Sequence, residues 1–394
     1  MTVASSTGGL SPARAFPKEW LRRPRLFTLC TTFRCNLACD YCYVRKHPAR
    51  MTLETARRAL DFIFRQAGDA QVIDIGFFGG EPLLEFTLMR QIVRAVEEHP
   101  GFQGRKVSFT LTTNGTLLSG EGLDFLREHA FKVCVSCDGA PRVQDLHRHA
   151  PDGKGSSALV ERNLATAQTV LGDLAVNAVY TPRTLRYLPE SVAYFSSLGV
   201  RHISLSPDFT AVWAPADLEQ LPSIYQAVAE QFKDWYRAGD PHYIDLIDNK
   251  LSVLTRGGYH PLERCMMGVG ELTITPDGGL YPCERLVGSG SDGTYRIGTI
   301  ESGVDLSRMA GFCAGGGETN PECRECSMRD YCVNWCGCSN LFMTGYTNRV
   351  GPFLCASERA AIGAAARLYA EFGDLIGPLS TCDPAGRTGF YGNR

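Results

Sequence analysis

Between residues 25 and 237 the chain repeats one unit six times: a short apolar run, a polar or Gly-rich turn, then a longer stretch with apolar residues at helical spacing. The first unit is an apolar stretch near 25–29, a cysteine-bearing loop, and a helix capped by Thr52 with Leu53, Ala56, Leu60, Ile63, Phe64 and Ala67 on one face. The others pair strand 72–78 with helix 86–96, strand 107–111 with helix 121–128, and strand 132–136 with helix 158–171. Strand 174–180 with helix 188–198 and strand 201–205 with helix 216–237 complete the series. Strict β/α alternation commits a chain to a parallel sheet with right-handed crossovers. Six units stop short of a closed eight-stranded barrel, so the expected fold is α/β, a partial (β/α)6 barrel of TIM type.

Chemistry in such barrels gathers where the strands end. After the first strand stand Cys35, Cys39 and Cys42, spaced CxxxCxxC with Tyr41 before the third. The second strand leads into Gly79-Gly80-Glu81-Pro82, the third into Thr112-Thr113-Asn114-Gly115 and the fourth into Ser136-Cys137-Asp138-Gly139. Three thiolates on a four-iron cluster leave one iron open to an outside ligand. Glycines admit a ligand close to the backbone, and Glu81, Asn114, Ser136 and Asp138 can hold an amine, a carboxylate and hydroxyls, a set that suits an amino-acid nucleoside. Two other readings compete. Zinc would use the same thiols but wants a fourth ligand, which is not nearby. Turn and capping chemistry would account for Asn114, Ser136 or Asp138 taken singly.

Composition narrows the class. A chain of 394 residues, 44% of them hydrophobic, can bury a large core, and its net charge of −2 with no basic tract points away from nucleic acid and from anionic membrane surfaces. Residues 1–20 show no signal-peptide pattern, and no segment approaches the roughly 18 apolar residues of a membrane helix. The expectation is a cytoplasmic protein with a flexible arm at 1–24. Sixteen cysteines in a long chain with CxxC-type clusters favour metal in a reducing compartment over disulfides.

The series CxxxCxxC with Tyr41, then GGEP, TTNG and SxDG in that order, resembles the radical S-adenosylmethionine (radical SAM) enzymes over roughly residues 25–237. The resemblance implies a [4Fe–4S] cluster on Cys35, Cys39 and Cys42 whose open iron chelates the amino and carboxylate groups of S-adenosylmethionine (AdoMet). Reductive cleavage then yields methionine and a 5′-deoxyadenosyl radical that abstracts a hydrogen atom from substrate. It further implies that Gly79, Gly80 and Glu81 face the methionine amino group, that Tyr41 lies by the adenine, and that Ser136 and Asp138 serve the carboxylate or the ribose. Asn114 joins this cofactor-binding set, and Arg148 is a further carboxylate candidate. Cys137 departs from the aliphatic residue usual there and reads as a small buried hydrophobe.

After a linker at 239–264, with a helix predicted over 243–255, composition changes: nine of the sixteen cysteines fall between Cys265 and Cys355. Apolar runs flanking Pro276-Asp277-Gly278-Gly279 read as a β-hairpin, and 357–372 reads as a helix. Gly278-x4-Cys283, a gap, Cys323-x2-Cys326-x5-Cys332-x3-Cys336, a gap and Cys355 resemble the SPASM extension of radical SAM enzymes. That resemblance implies two auxiliary iron–sulfur clusters, a distal one on Cys323, Cys326, Cys332 and Cys355 and a near one on Cys265, Cys283 and Cys336. The place where some relatives add a fourth near ligand holds Glu271, which leaves an open iron or recruitment of Cys313 or Cys338. A zinc ribbon is the competing reading of Cys323 to Cys336. Glu284, directly after Cys283, is the candidate general base. The expected organisation is an arm (1–24), a radical SAM partial barrel (25–238), a helical linker (239–264), a small cysteine-rich SPASM domain (265–373) and a tail (374–394), with Cys382 free to visit the active site. Cys30, Cys134 and Cys137 read as packing residues.

The resemblance implies an oxidoreductase that modifies a ribosomally synthesised peptide by a thioether, C–C or C–O cross-link or another side-chain oxidation, using a reductant such as flavodoxin or ferredoxin. An arm of about 25 residues is too short for a fused leader-recognition domain, so a separate recognition protein is expected. One alternative is an anaerobic sulfatase maturase forming formylglycine; another is a radical dehydrogenase or epimerase acting on a sugar or antibiotic. A non-catalytic iron–sulfur carrier would need neither GGEP nor SxDG.

Overall fold

The computed structural model describes residues 25–260, 267–268, 270–288, 293–314 and 320–380. The N-terminal arm, Cys265, the tail with Cys382 and the side chain of Cys313 lie outside the described residues.

The elements follow in the order β1 (Arg25–Thr32), α1 (Leu53–Ala67), β2 (Val72–Gly79), α2 (Phe86–Glu97), β3 (Lys106–Thr113), α3 (Gly120–Glu128), β4 (Lys132–Ser136) and α4 (Pro141–Gln144). Next come α5 (Ser157–Leu171), β5 (Ala175–Tyr180), α6 (Leu188–Ser197), β6 (His202–Pro207), α7 (Pro215–Arg237), β7 (Tyr243–Ile244) and α8 (Asp245–Arg256). The C-terminal part holds β8 (Glu271–Ile274), β9 (Gly279–Tyr281), β10 (Gly298–Thr299), β11 (Gly303–Val304), α9 (Leu306–Ala314), α10 (Pro321–Arg324), α11 (Gly337–Thr344) and α12 (Pro352–Ser380).

Strands β1 to β7 pair in sequence order, all parallel, which is the expected partial barrel with one further strand. The two faces of the sheet differ because side chains alternate along a strand. Phe27, Leu29, Ile75, Phe77, Phe109, Leu111 and Val133 are buried in the core that includes the covering helices. Thr28, Gly76 and Thr110 sit side by side in register between these residues, and a Cβ on Gly76 would lie 3.0 Å from Thr110 Oγ1 and 3.4 Å from Thr28 Oγ1. Small residues on that face leave room for a cavity. Helix α1 shows why sequence places the helices well: Thr52 Oγ1 accepts from Thr55 N–H at 3.0 Å, and Ala56, Leu60, Ile63, Phe64 and Ala67 are buried.

Two features depart from expectation. Tyr243–Ile244 opens what reads as one helix but pairs with β6, because only two residues are extended before α8 begins. And β8 does not start a separate sheet: it lies parallel to β1, from Leu26↔Glu271 to Leu29↔Ile274, while β9 to β11 continue antiparallel in one 11-stranded sheet. The expected hairpin is present, closed by Thr275 N–H to Gly279 C=O at 2.9 Å. The final helix begins earlier than predicted, at Pro352, which suits a first helical position. It packs on α7 and α8 through a Tyr225–Ser357 hydroxyl pair at 2.8 Å and the buried Lys250–Glu358 ion pair at 2.6 Å, and on the segment before α7 through a Trp213–Phe353 stack at 4.0 Å. Among the described residues no helix is long and apolar enough to cross a membrane.

Candidate active site

A cavity of about 340 Å³ opens at the strand ends. Cys35, Cys39, Tyr41 and Cys42 line it, with Gly79, Gly80, Asn114, Ser136, Arg148 and Glu284, so nine of the expected site residues share one wall system with Glu284 of the C-terminal hairpin. Glycine is required at two of these positions. A Cβ on Gly79 (φ 143°) would lie 2.2 Å from the Thr32 carbonyl oxygen, and one on Gly80 2.0 Å from that of Arg34. The glycines thus let the second strand end press against the start of the cysteine loop, where Gly80 N–H donates to Thr32 C=O and Glu81 N–H to Arg34 C=O, both at 2.8 Å.

Glu81 and Asp138 are placed differently from expectation. The Glu81 side chain is fully buried and turned into the protein, accepting from Leu83 N–H (3.0 Å), Asn114 N–H (2.7 Å) and the Thr113 hydroxyl (2.8 Å). It joins the GGEP and TTNG turns rather than facing the cavity. Burial pushes its carboxyl up to about 7 against those hydrogen bonds. Asp138 is also buried behind the wall: it accepts from the Tyr41 hydroxyl and from Val179 N–H at 2.9 Å, and pairs with Arg148 Nε at 2.9 Å. Arg148 in turn lies over the Tyr41 ring, 5.3 Å from its centroid. Asp138 therefore fixes two cavity-lining groups, Tyr41 and Arg148.

The cysteine loop is pinned from its other side. Ala38 N–H donates to His149 C=O (2.7 Å) and Asp40 N–H to His147 C=O (3.1 Å), while the Asp40 carboxylate meets His147 Nδ1 at 3.1 Å and His149 Nε2 at 2.9 Å. Asn114 Nδ2 donates to Asn36 Oδ1 at 2.8 Å and lies 3.7 Å from Cys35 Sγ. Burial raises the Cys35 and Cys39 thiols, and the Arg148 charge pulls Cys39 back toward the thiolate a metal centre needs. Among the described residues no three His, Cys, Asp or Glu side chains close on a single metal ion.

Sequence reading missed the far wall: Asn177, Ser204, Ser206, Asp208, Tyr243, Asp245, Asn249, Tyr43, Lys46 and Arg285. Ser204 and Leu205 N–H hold Asp245 at 2.5 and 2.9 Å, and burial raises that carboxyl to about 6. The signal was available in the polar residues at alternate positions along β6 and just past its end, Ser204-x-Ser206-x-Asp208.

The C-terminal thiols form two sets. Arg359 hydrogen-bonds the sulfurs of Cys355 and Cys326, to which Cys323 is close enough to feel their charge, and Cys332 hydrogen-bonds Glu358. Nearer the cavity, Cys283 and Cys338 are buried in contact with each other, and Cys336 Sγ is 3.8 Å from Cys338 Sγ. Buried Cys30, Cys134 and Cys137 sit in the core apart from either set.

Residues 29–192 match the radical SAM superfamily model, so this stretch is a radical SAM domain, of the kind that uses a [4Fe–4S] cluster and AdoMet, and the protein is an enzyme. More particularly, a serine-type anaerobic sulfatase-maturating enzyme of Klebsiella aerogenes is 25% identical over 364 residues, 88% of this chain and 83% of that one. An uncharacterized protein of Methanocaldococcus jannaschii is 33% identical over 174 residues, and the match spans 44% of this chain and 59% of its own length, under two thirds. The solved structure of native anSMEcpe with bound AdoMet and Cp18Cys peptide superposes with a TM-score of 0.77 at 19% identity, covering 90% of this chain and 100% of that one, a likeness of fold.

Proposed function

We propose that this enzyme oxidises a side chain of a ribosomally made polypeptide. The observation that carries the reading is the single cavity on which the CxxxCxxC thiols, the Gly79-Gly80 backbone and Glu284 converge. In this reading Cys35, Cys39 and Cys42 hold the [4Fe–4S] cluster, and Cys323, Cys326, Cys332 and Cys355 hold the distal auxiliary cluster. Cys265, Cys283 and Cys336 belong to the near one, and residues 25–238 and 265–373 are the corresponding functional units. With these groups and AdoMet bound, the site is supplied with a 5′-deoxyadenosyl radical and with an acceptor for the electron left after hydrogen abstraction.

The protein's own residues do the rest. Gly79 and Gly80 leave backbone open to the AdoMet methionine, Tyr41 and Asn114 flank it, and Ser136 and Arg148 offer a hydroxyl and a charge to its carboxylate or ribose. Glu81 and Asp138 position these groups from behind. Glu284 takes the proton that a two-electron oxidation releases. The polar far wall, with Asn177, Ser206 and Asp208, suits the amide groups of a peptide. A flavodoxin or ferredoxin would supply the reducing electron.

Two products fit. One is an intrapeptide thioether, C–C or C–O cross-link. The other is formylglycine, favoured by Glu284 lining the cavity and by the long alignment to a sulfatase maturase. The test incubates anaerobically reconstituted, reduced enzyme with AdoMet and follows 5′-deoxyadenosine. Its absence from the wild type sinks the radical reading, and Cys42→Ala should abolish it. With cysteine- and serine-containing sulfatase peptides and with candidate precursor peptides, a cross-link loses two hydrogens and keeps any sulfur, whereas formylglycine from cysteine loses the sulfur. Glu284→Gln should keep AdoMet cleavage and lose at least about tenfold in product, a barrier increase of about 1.4 kcal/mol; undiminished product removes the base role.

A further inference from the structure

We infer that Cys338 is a ligand of the near auxiliary cluster beside Cys283 and Cys336. The inference rests on the reading above that a cluster is bound there, and it concerns the ligand that the CX5CX3C spacing leaves unassigned.

Three observations converge. Cys338 is 3% exposed, its thiol is hydrogen-bonded to that of Cys283, and its sulfur is 3.8 Å from Cys336 Sγ. Three thiols from two chain segments, the β9 exit and the start of α11, thus meet in one place. The position open for a fourth ligand in sequence is instead Glu271, which is tied to the backbone of the same turn: its Oε1 accepts from Glu284 N–H at 3.4 Å. Its carboxylate has a structural partner there.

The surroundings match a negatively charged centre. The half-buried Arg285 guanidinium lies within electrostatic reach of the sulfurs of Cys338, Cys336 and Cys283. An arginine facing three sulfurs compensates the charge of thiolates far better than that of neutral thiols, which need no counter-ion. Met267, Leu286 and part of Phe342 pack around the thiols and keep the site dry.

A further protein thiolate would occupy an iron otherwise open to substrate, so the near cluster would serve as an electron acceptor and the substrate side chain would be held by the cavity wall. This deepens the oxidation reading and separates it from one in which the substrate sulfur would bind the cluster directly.

The test uses full-length protein in which Cys35, Cys39 and Cys42 are all changed to Ala, so that only auxiliary clusters are seen after anaerobic reconstitution. This parent should bind two clusters by iron and sulfide analysis, with EPR and Mössbauer spectra unmoved by added small thiol. Adding Cys338→Ala should lower iron toward one cluster or leave a near cluster whose spectrum now changes with β-mercaptoethanol. Cys338→Ser should keep the iron and shift the EPR g values. Rescue of the Cys338→Ala spectrum by an external thiol is a signature that a mere packing role would not produce. Unchanged iron and spectra in both variants, or loss of iron in Cys313→Ala instead, overturns the assignment while the two-cluster reading stands. A parent that binds one auxiliary cluster or none overturns the reading beneath it.

Discussion

Glu81 carries an ionisable group turned away from the cavity into the protein, and its effect is on the scaffold. Its carboxyl satisfies two N–H groups and one hydroxyl in full burial, so Glu81→Ala leaves three donors without partners. At about 1–3 kcal/mol per buried unsatisfied group, the expected loss is at least about 3 kcal/mol. Its pKa rises from 4.5 to about 7 because burial disfavours the charge. The sign follows: the folded state holds this proton more tightly than the unfolded chain, so stability is highest below about 4.5 and is lost as pH climbs to about 7. Asp245 and Asp248, raised by burial to about 6 and about 7, push the same way. Urea midpoints of the cluster-free protein should therefore be lower at pH 7.5 than at pH 5.5 from these groups, and Glu81→Gln should narrow the gap. An unaltered gap would show that Glu81 stays ionised across the range.

At the level of elements, the Lys250–Glu358 pair links α8 to α12. Both side chains are at most 10% exposed, and Glu358 Oε2 also accepts from Val333 N–H at 2.7 Å while its carboxylate reaches Cys332. Removing one partner of such a pair strands a buried charge, which costs about 3–5 kcal/mol, whereas replacing both costs far less. Lys250→Met should thus lower stability by that order in thermal or urea unfolding, and Lys250→Met with Glu358→Gln should recover most of it. If Cys332 binds the distal cluster, the single variant also makes that cluster harder to reduce, measurable by potentiometric EPR, because a nearby cation is lost. Nothing in the sequence marks this pair. Helices and the hairpin were legible because their signals are local: the Thr52 cap, the apolar face of α1, the Pro-Asp-Gly-Gly turn. The four strand-end motifs were legible because β/α order brings them to one rim. Pairings between distant segments were not: Tyr243–Ile244 is too short to show a period of two, and the inward turn of Glu81 depends on Thr113 and Asn114 lying beside it in register. The far wall of Ser204, Ser206 and Asp208 followed the same strand-end rule but carried no motif.

For the whole molecule, the consequence of the β1–β8 pairing is that the cysteine loop hangs from an interior strand. Four residues of β1, Leu26 to Leu29, are paired to Asp74–Phe77 of β2 on one side and to Glu271–Ile274 of β8 on the other. Without β8, β1 would be an edge, and Cys35 to Cys42 would leave from a strand held on one side only. The C-terminal part therefore helps rigidify the N-terminal cysteine site as well as carrying its own thiols, and the two should not unfold independently. Thr273 tests this, since it pairs with Thr28 in β1 and with Tyr281 in β9 and is fully buried. Proline there removes a ladder hydrogen bond from a central strand, at about 3 kcal/mol or more. Amide exchange in Thr273→Pro should rise through β1 and the loop to Cys42, while β4 to β6, which β8 does not touch, keep their protection. Faster exchange confined to β8 and β9 would mean that the barrel holds β1 by itself and that the C-terminal strands are an appendage.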